Sequence, residues 1–288
     1  MTTDKKYILA CIDGSPLSSS VVEHAIWLAN NSQLPITFLH TIEHSHVSEH
    51  PDHEGNFTPN MTENLLHDLT DEERLESKRL IAEGKIILSK AEQRAEQANV
   101  TNINIKQRHG SVSQALLDLD MDIEMIVLGA TGEDHQDDKK GLGSQLEHAI
   151  RSTQRPLMIV KKSFVAPRHL MLAYNGSPLS KKAIDIINKD MFSTQSLNIH
   201  IVSVQKNNED AQQLVNEVET ALSSSKCIVK TTALTGDPLV KLSQYQQEHH
   251  IDLTMMGAFS HGKIHGFMFG SFTTQMLLDG DSNYFLLR

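Results

Sequence analysis

Two glycine-rich segments contain the residue types that bind phosphate. The first starts with Gly129-Ala-Thr-Gly132 and reaches Gly143-Ser144 after ten intervening residues, and the second starts with Gly257-Ala-Phe-Ser260 and reaches Gly270-Ser271 after nine. Glycine lets the backbone turn tightly and lets a ligand approach it closely. A Gly-Ser pair before an apolar helical segment offers free N–H groups, a helix dipole and a hydroxyl to an anion. A single such motif is more often an ordinary loop, but two of them favour phosphate binding.

A second motif shows that the chain repeats itself. Asp13-Gly-Ser-Pro-Leu-Ser18 recurs as Asn175-Gly-Ser-Pro-Leu-Ser180, with five identical residues and one change from acid to amide. Two further echoes follow in the same order, pairing residues 34–42 with 197–205 and 122–130 with 251–258. Repeats that keep their order indicate a duplicated unit.

Each copy alternates strand-like and helix-like segments. Pro16 and Pro178 are expected to open the first helix of each copy, since proline favours the first helical turn. Near-continuous apolar runs predict further strands, which are 35–42, 102–107 and 123–129 in one copy and 198–205, 226–233 and 251–257 in the other. A last helix and strand are expected within 143–162 and within 270–288. Strands alternating with helices predict parallel sheets covered on both faces.

These elements divide the chain into a first domain, 1–162, and a second, 168–288, joined by a short junction. Residues 43–69 have no counterpart in the second copy and are expected to be an insertion. Thr70-Asp-Glu-Glu73 has the spacing of a capping box and predicts that a helix begins there.

Histidines crowd the region around the insertion, at His40, His44, His46, His50 and His53. Imidazole is a common zinc ligand, so a metal site is one interpretation. A solvated polar loop is the simpler interpretation of a histidine-rich tract, and no metal site is predicted.

Composition excludes several classes of protein. The 288 residues carry a formal net charge of −10, which argues against nucleic-acid binding because that needs clustered Lys and Arg. No run approaches the ~18 apolar residues of a membrane helix, and the first residues lack the apolar region of a signal peptide. A cytoplasmic protein that does not bind membranes is therefore expected. Cys11 and Cys227 are the only cysteines and are expected to be buried and inert.

The Asp-Gly-Ser start, the apolar strand running into a glycine turn, and the Gly-Ser pair about nine residues later resemble the universal stress protein family. The resemblance covers nearly the whole chain and implies an α/β fold of two tandem Rossmann-like domains. Each would be an open five-stranded parallel sheet flanked by helices, and the two would pair through their final strands as in a family dimer. A homodimer of the whole chain is left open.

The resemblance also implies that the chain binds ATP or another adenine nucleotide, with Mg²⁺ accompanying the phosphates, and that it acts in stress response. In the first copy the implied pocket residues are Asp13, Thr41, Gly129, Gly132, Gly143 and Ser144. In the second they are Asn175, Val204, Gly257, Ser260, Gly270 and Ser271, with Ser260 standing where the family has glycine.

The two loops differ in charge, so the second copy is predicted to be the better nucleotide site. The first loop has four acids and two bases, Glu133, Asp134, Asp137, Asp138, Lys139 and Lys140. The second has only neutral or basic titratable side chains, His261, Lys263 and His265. Acids close to a phosphate would repel it.

No catalytic residue is predicted. The chain has no Gly-x-x-x-x-Gly-Lys-Ser/Thr loop, no Gly-x-Gly-x-x-Gly after the first strand and no Gly-x-Ser-x-Gly elbow. Two alternatives to nucleotide binding alone are a slow ATPase and a nucleotide-independent interaction protein with degenerate pockets.

Overall fold

The computed structural model describes residues 6–43, 59–130, 144–188, 192, 197–222, 228–258 and 271–288. In the first half the elements are β1 (Tyr7–Cys11), α1 (Ser18–Ser32), β2 (Ile36–Ile42), α2 (Pro59–Gln97), β3 (Ile103–His109), α3 (Val112–Leu119), β4 (Ile123–Gly129), α4 (Ser144–Ser152) and β5 (Leu157–Val160). In the second half they are β6 (His169–Ala173), α5 (Pro178–Asn188), β7 (Asn198–Gln205), α6 (Asn208–Leu222), β8 (Ile228–Thr235), α7 (Pro238–Glu248), β9 (Leu253–Gly257), α8 (Ser271–Asp279) and β10 (Asn283–Leu287).

The two halves have the same sheet topology. The strand order is β3-β2-β1-β4-β5 in the first half and β8-β7-β6-β9-β10 in the second, and every pair within a half is parallel. Central strands are buried on both faces; Ile8 and Leu9 of β1, which point to opposite faces, are both fully buried. The predicted pair of five-stranded parallel sheets is confirmed.

The final strands join the two sheets into one. β5 and β10 pair antiparallel, with Ile159 opposite Tyr284 and Leu157 opposite Leu286, so the hydrogen-bonded sheet has ten strands. The predicted pairing through the final strands is therefore confirmed. Because the two five-stranded sheets pair at this edge, each half covers the edge strand that the other would leave exposed.

Two cations clamp the junction in a quasi-twofold arrangement. Lys161 follows β5 and donates from Nζ to the carbonyl oxygen of Leu277 and, at 2.6 Å, to that of Gly280. Arg288 follows β10 and donates from Nε to the carbonyl oxygen of Thr153 at 3.3 Å. Each cation thus binds a carbonyl at the C-terminal end of the other half's last helix, where the helix dipole favours positive charge.

A buried polar chain also crosses the junction. His24 of α1 is fully buried; its Nδ1 lies 2.7 Å from the carbonyl oxygen of Ser20 and its Nε2 lies 3.1 Å from Nδ2 of Asn283. The Asn283 Oδ1 accepts the backbone N–H of Lys161 at 2.8 Å, so its Nδ2 must be the donor to His24. These contacts require a neutral imidazole with the proton on Nδ1.

The second helix begins earlier than the capping box predicted. α2 runs from Pro59 to Gln97, so Thr70 lies inside it and residues 59–69 of the predicted insertion are helical; residues 44–58 lie outside the described residues. Segment 59–69 contains good helix formers, such as Leu and Glu, with no glycine or proline after the first residue, so the helix continues through the capping signal. α1 likewise begins at Ser18 rather than at Pro16.

α2 is longer than the sheet on which it packs. Its 39 residues correspond to about 58 Å, whereas β2 and β3, with seven residues each, are about 23 Å long. Gly84 marks the close approach to the sheet, since a Cβ there would lie 2.6 Å from Nδ1 of His40. Residues 74–76 and 78–79, before it, are exposed. The N-terminal part of α2 therefore extends beyond the carboxyl ends of the strands of the first half.

Candidate functional site

The Asp-Gly-Ser and Asn-Gly-Ser segments form the same turn after β1 and β6. The Ser15 N–H donates to Asp13 Oδ1 at 3.0 Å, and the Ser177 N–H donates to Asn175 Oδ1 at 3.1 Å. The glycine between them has positive φ in both copies, 86° at Gly14 and 73° at Gly176, a conformation that glycine adopts without strain. An acid and an amide thus occupy equivalent places in the two halves.

The first half has a cavity of about 350 Å³ at the carboxyl ends of β1, β2 and β4. Asp13, Thr41 and Gly129, three of the predicted pocket residues, line it together. Cys11, expected to be buried and inert, also lines it, and burial raises the pKa of its thiol to about 12, so the thiol stays protonated. Ser144 is the first residue of α4, whereas Gly132 and Gly143 lie outside the described residues, as do Cys227 and the acids and lysines of the first loop.

Three further acids line this first cavity, and the sequence analysis missed them. Glu43 follows β2 and accepts a hydrogen bond from Gln145 Nε2 at 3.1 Å, while Glu76 and Glu83 come from α2. Arg79 lies between the last two and binds them at 2.6 and 2.7 Å. Every charged side chain among the described residues lining the cavity is acidic. The seven-residue spacing of Glu76 and Glu83 on one helix face was the available signal.

His40 is a strand residue rather than part of a polar loop. It is 8% exposed, lines the first cavity and faces α2 at Gly84. Burial lowers the pKa of His40, although the Asp13 carboxylate acts in the opposite direction. The other four histidines of the predicted tract lie outside the described residues, and within the described ranges no three His, Cys, Asp or Glu side chains are grouped to hold a metal.

The second half has a cavity of about 350 Å³ at the equivalent place, the carboxyl ends of β6, β7 and β9. It contains the predicted Asn175, Val204 and Gly257. Its other described lining residues are mostly apolar and include Leu179, Val202, Pro238, Leu242, Met256 and Phe272. None of the described lining residues carries a charge.

The first turn of α8 borders the second cavity. Ser271 is the first residue of this helix, and the next two residues, Phe272 and Thr273, line the cavity. The positive end of the helix dipole therefore lies beside the apolar space. Ser260 and Gly270 lie outside the described residues, as do His261, Lys263 and His265.

A histidine cluster that the sequence analysis did not identify lies away from the cavity, at the amino end of β6. His169 Nδ1 is 3.2 Å from His200 Nε2, and His200 Nδ1 is 3.0 Å from the Tyr245 hydroxyl. The His249 ring lies 5.5 Å from that of His200, centre to centre. Burial, together with the neighbouring imidazoles and Lys230, lowers the pKa of His200 to about 4. His200, the buried residue of the cluster, is therefore neutral near pH 7.

Comparison with known proteins agrees with this fold. Residues 5–161 match the universal stress protein family, and this match covers more than half of the chain. The chain belongs to that family. The universal stress protein Slr1230 of Synechocystis sp. (strain ATCC 27184 / PCC 6803 / Kazusa) is 29% identical over 276 residues, which cover 94% of this chain and 96% of that protein.

A solved structure shows the same architecture over the full length. The universal stress protein from Archaeoglobus fulgidus DSM 4304 has a TM-score of 0.74 and 17% identity, and the match covers 98% of both chains. In the parts of the chain that the structure describes, no helix has the length and apolar character needed to cross a membrane.

Proposed function

We propose that this protein binds ATP or a close adenine nucleotide, with the second-half cavity as the better site. The observation that carries the proposal is the second cavity itself, which is apolar, is uncharged along its described lining and is bordered by the first turn of α8. A nucleotide needs this combination, because its base is largely apolar and its phosphates are anionic.

The position of the cavity in the sheet supports the proposal. Strand order reverses between β6 and β9, since β6 leads to β7 on one side and pairs with β9 on the other. Parallel α/β sheets bind ligands outside the carboxyl ends of the strands at this reversal. The glycine spacing from Gly257 to Gly270-Ser271 supplies backbone N–H groups for the phosphates, and Mg²⁺ would accompany them.

Charge is the reason for placing the better site in the second half. A like charge ~4 Å from a phosphate costs about 4 kcal/mol at an effective dielectric constant of 20. Asp13, Glu43, Glu76 and Glu83 all line the first cavity. The side chains of Glu76 and Glu83 are about half exposed, at 53% and 50%, and share Arg79, so screening reduces their repulsion without removing it.

In this proposal the protein acts in the cytoplasm, in stress response, and its family membership supports that role. Of the two alternatives, slow ATP hydrolysis would leave ADP among the released small molecules, and an interaction protein that works without nucleotide would release no nucleotide and bind no ATP.

The test combines mass spectrometry of small molecules released from freshly purified protein with calorimetric titration of ATP and Mg²⁺. Gly270→Val should weaken ATP binding by at least tenfold, because the side chain would block the approach of phosphate to the backbone. Gly143→Val, the equivalent change in the first half, is the matched control and should leave the tighter binding event unchanged. Unchanged ATP affinity in the protein carrying both substitutions would contradict the proposal.

A further inference from the structure

We propose that two copies of this chain associate through the outer edge of β8, which pairs antiparallel with β8 of the second copy across a twofold axis at Thr232. This association concerns the far edge of the sheet and does not depend on nucleotide binding.

β8 is one of the two outermost strands of the ten-stranded sheet, and in the described part of the chain its only strand partner is β7. The Gly236 N–H donates to the carbonyl oxygen of Gln205 at 3.1 Å, which shows which residues bond to β7. Because successive residues of a strand point their N–H and C=O groups to opposite sides, the even-numbered residues face β7. The groups of the odd-numbered residues point outward, and these residues are Val229, Thr231, Ala233 and Thr235.

The sequence of β8 favours pairing with another strand. It consists mainly of β-branched residues, has no proline and contains Lys230 as its only charged residue. Its register with β7 is unbroken by a bulge. Natural edge strands avoid association through several charges, prolines or bulges, and β8 has none of these protections beyond Lys230. Ile228, at the start of the strand, is 64% exposed and adds apolar surface beside the free edge.

The outward groups determine the register of the pairing. Two copies of β8 use all four outward residues when Val229 lies opposite Thr235 and Thr231 lies opposite Ala233 of the second copy. Lys230 then lies opposite Leu234, so no two like charges face each other. Thr232 lies opposite itself on the twofold axis. Such a contact is self-complementary and closed, so it stops at two chains.

The edge at the other end of the sheet, β3, is unsuited to the same pairing. The Gly110 N–H donates to the carbonyl oxygen of Ile42 at 3.0 Å, so the outward residues of β3 are Ile103, Ile105, Gln107 and His109. The register that uses all four places Lys106 opposite Lys106 of a second copy, and the next register places it opposite Arg108. Like charges directly opposite each other are destabilising, and registers that avoid them lose the hydrogen bonds of His109.

The helix that covers β8 leaves room for the second copy. α6 packs on both β7 and β8, and its Glu219 carboxylate is held on its own strand by a hydrogen bond from the Thr231 hydroxyl. Neighbouring strands lie about 4.8 Å apart, so the α6 helices of two paired copies would lie about 10 Å apart. This is the ordinary spacing of packed helices. The junction of β5 and β10 shows that this sheet already joins its own halves through antiparallel edge strands.

The first experiment measures the mass of the full chain by size-exclusion chromatography with light scattering, without nucleotide. The wild type should have twice the mass of one chain. Ala233→Pro should have the mass of one chain, because proline removes an outward N–H and leaves the bonds to β7 in place. Ile105→Pro makes the same change at the outer edge of β3; it is the matched control and should remain a dimer. A monomeric wild type, or a dimer that persists in Ala233→Pro, would overturn the proposal.

Cysteine cross-linking tests the register and decides the matter if Ala233→Pro does not fold. In a chain with Cys11 and Cys227 replaced by alanine, Thr232→Cys should give a disulfide-linked dimer on mild oxidation. The two Cα atoms at position 232 would lie about 4.5 Å apart, within the range that a disulfide spans. Lys230→Cys, on the same face of β8, is the control and should stay uncross-linked, since its two copies would lie more than about 13 Å apart. Equal cross-linking of the two variants, or none in Thr232→Cys, would overturn this register and the twofold pairing with it.

Discussion

His200 is 6% exposed on β7, and none of the described groups that act on its pKa carries a negative charge that would stabilise the protonated form. It is surrounded by His169 from β6, Tyr245 from α7, His249 directly after α7, and the exposed Lys230 from β8. Burial is the largest cause of its low pKa, and the neighbouring positive or protonatable groups add to it. The folded chain therefore takes up a proton at His200 less readily than the unfolded chain does.

This difference predicts acid sensitivity. The pKa of His200 is about 4 in the folded chain, below the ordinary value of 6.5, so the unfolded chain binds more protons between these two pH values. The contribution of His200 to stability should be fully present above pH 6.5 and should fall by up to about 1.4 kcal/mol per pH unit as the pH drops toward 4. His200→Gln should flatten this dependence when urea unfolding is measured across the window.

His148→Gln is the matched control, since His148 is exposed on α4, and it should keep the wild-type slope. An equal slope in His200→Gln and the wild type would show that other groups cause the acid sensitivity.

Individual site residues were predictable where they belong to short local motifs. Asp13 and Asn175 follow apolar strands directly, and strand order alone brings them beside Gly129 and Gly257. Glu76 was not predictable in this way, because its place beside the first cavity depends on where α2 crosses the sheet. That crossing is set by packing between residues distant in sequence, such as Gly84 against β2.

At the scale of elements, strands were better predicted than helix ends. β4 and β7 coincide with the predicted 123–129 and 198–205, since a buried parallel strand is a short apolar run with clear limits. The start of α2 was wrong by eleven residues, Pro59 against Thr70, because a capping box can also occur inside a helix. Good helix formers on both sides of Thr70 outweighed the local signal.

The ends of α4 and α8 depend on cations from the opposite half, which leads to a prediction about stability. Lys161→Met should lower the free energy of unfolding by about 1.5–3 kcal/mol, because hydrogen bonds from a charged group to two carbonyls of α8 and its C-terminal end are lost. Thermal and urea unfolding would measure the change.

Lys162, the residue next to Lys161, provides the control. Lys162 binds Asp281 at 2.6 Å, but the two side chains are 45% and 73% exposed, so Lys162→Met should cost less than about 1 kcal/mol. Equal losses for the two variants would mean that the clamp at α8 contributes no more than a surface ion pair.

For the whole molecule, the quasi-twofold junction predicts how a single half behaves. A chain of residues 1–164 would expose the edge of β5 that normally pairs with β10. Because that pairing is antiparallel, a second copy of the first half can occupy the place of the second half. We expect this fragment to form a homodimer through β5, measurable by light scattering coupled to size-exclusion chromatography.

Replacing Ile159 by Pro in that fragment should give a monomer, since proline cannot donate to the strand pairing. A fragment that is monomeric without this substitution would show that the β5 edge does not pair with itself.

The antiparallel junction also sets the direction of each cavity. All strands of one half run parallel to β5 and all strands of the other run parallel to β10, so the two sets of carboxyl ends lie at opposite edges of the sheet. The two cavities therefore open at opposite ends of the molecule. In a dimer of identical chains one gene encodes both pockets, so a substitution in one pocket is also present in the other. Tandem fusion removes that constraint, so an acid-lined pocket and a pocket whose described lining carries no charge can be inherited together and can evolve separately.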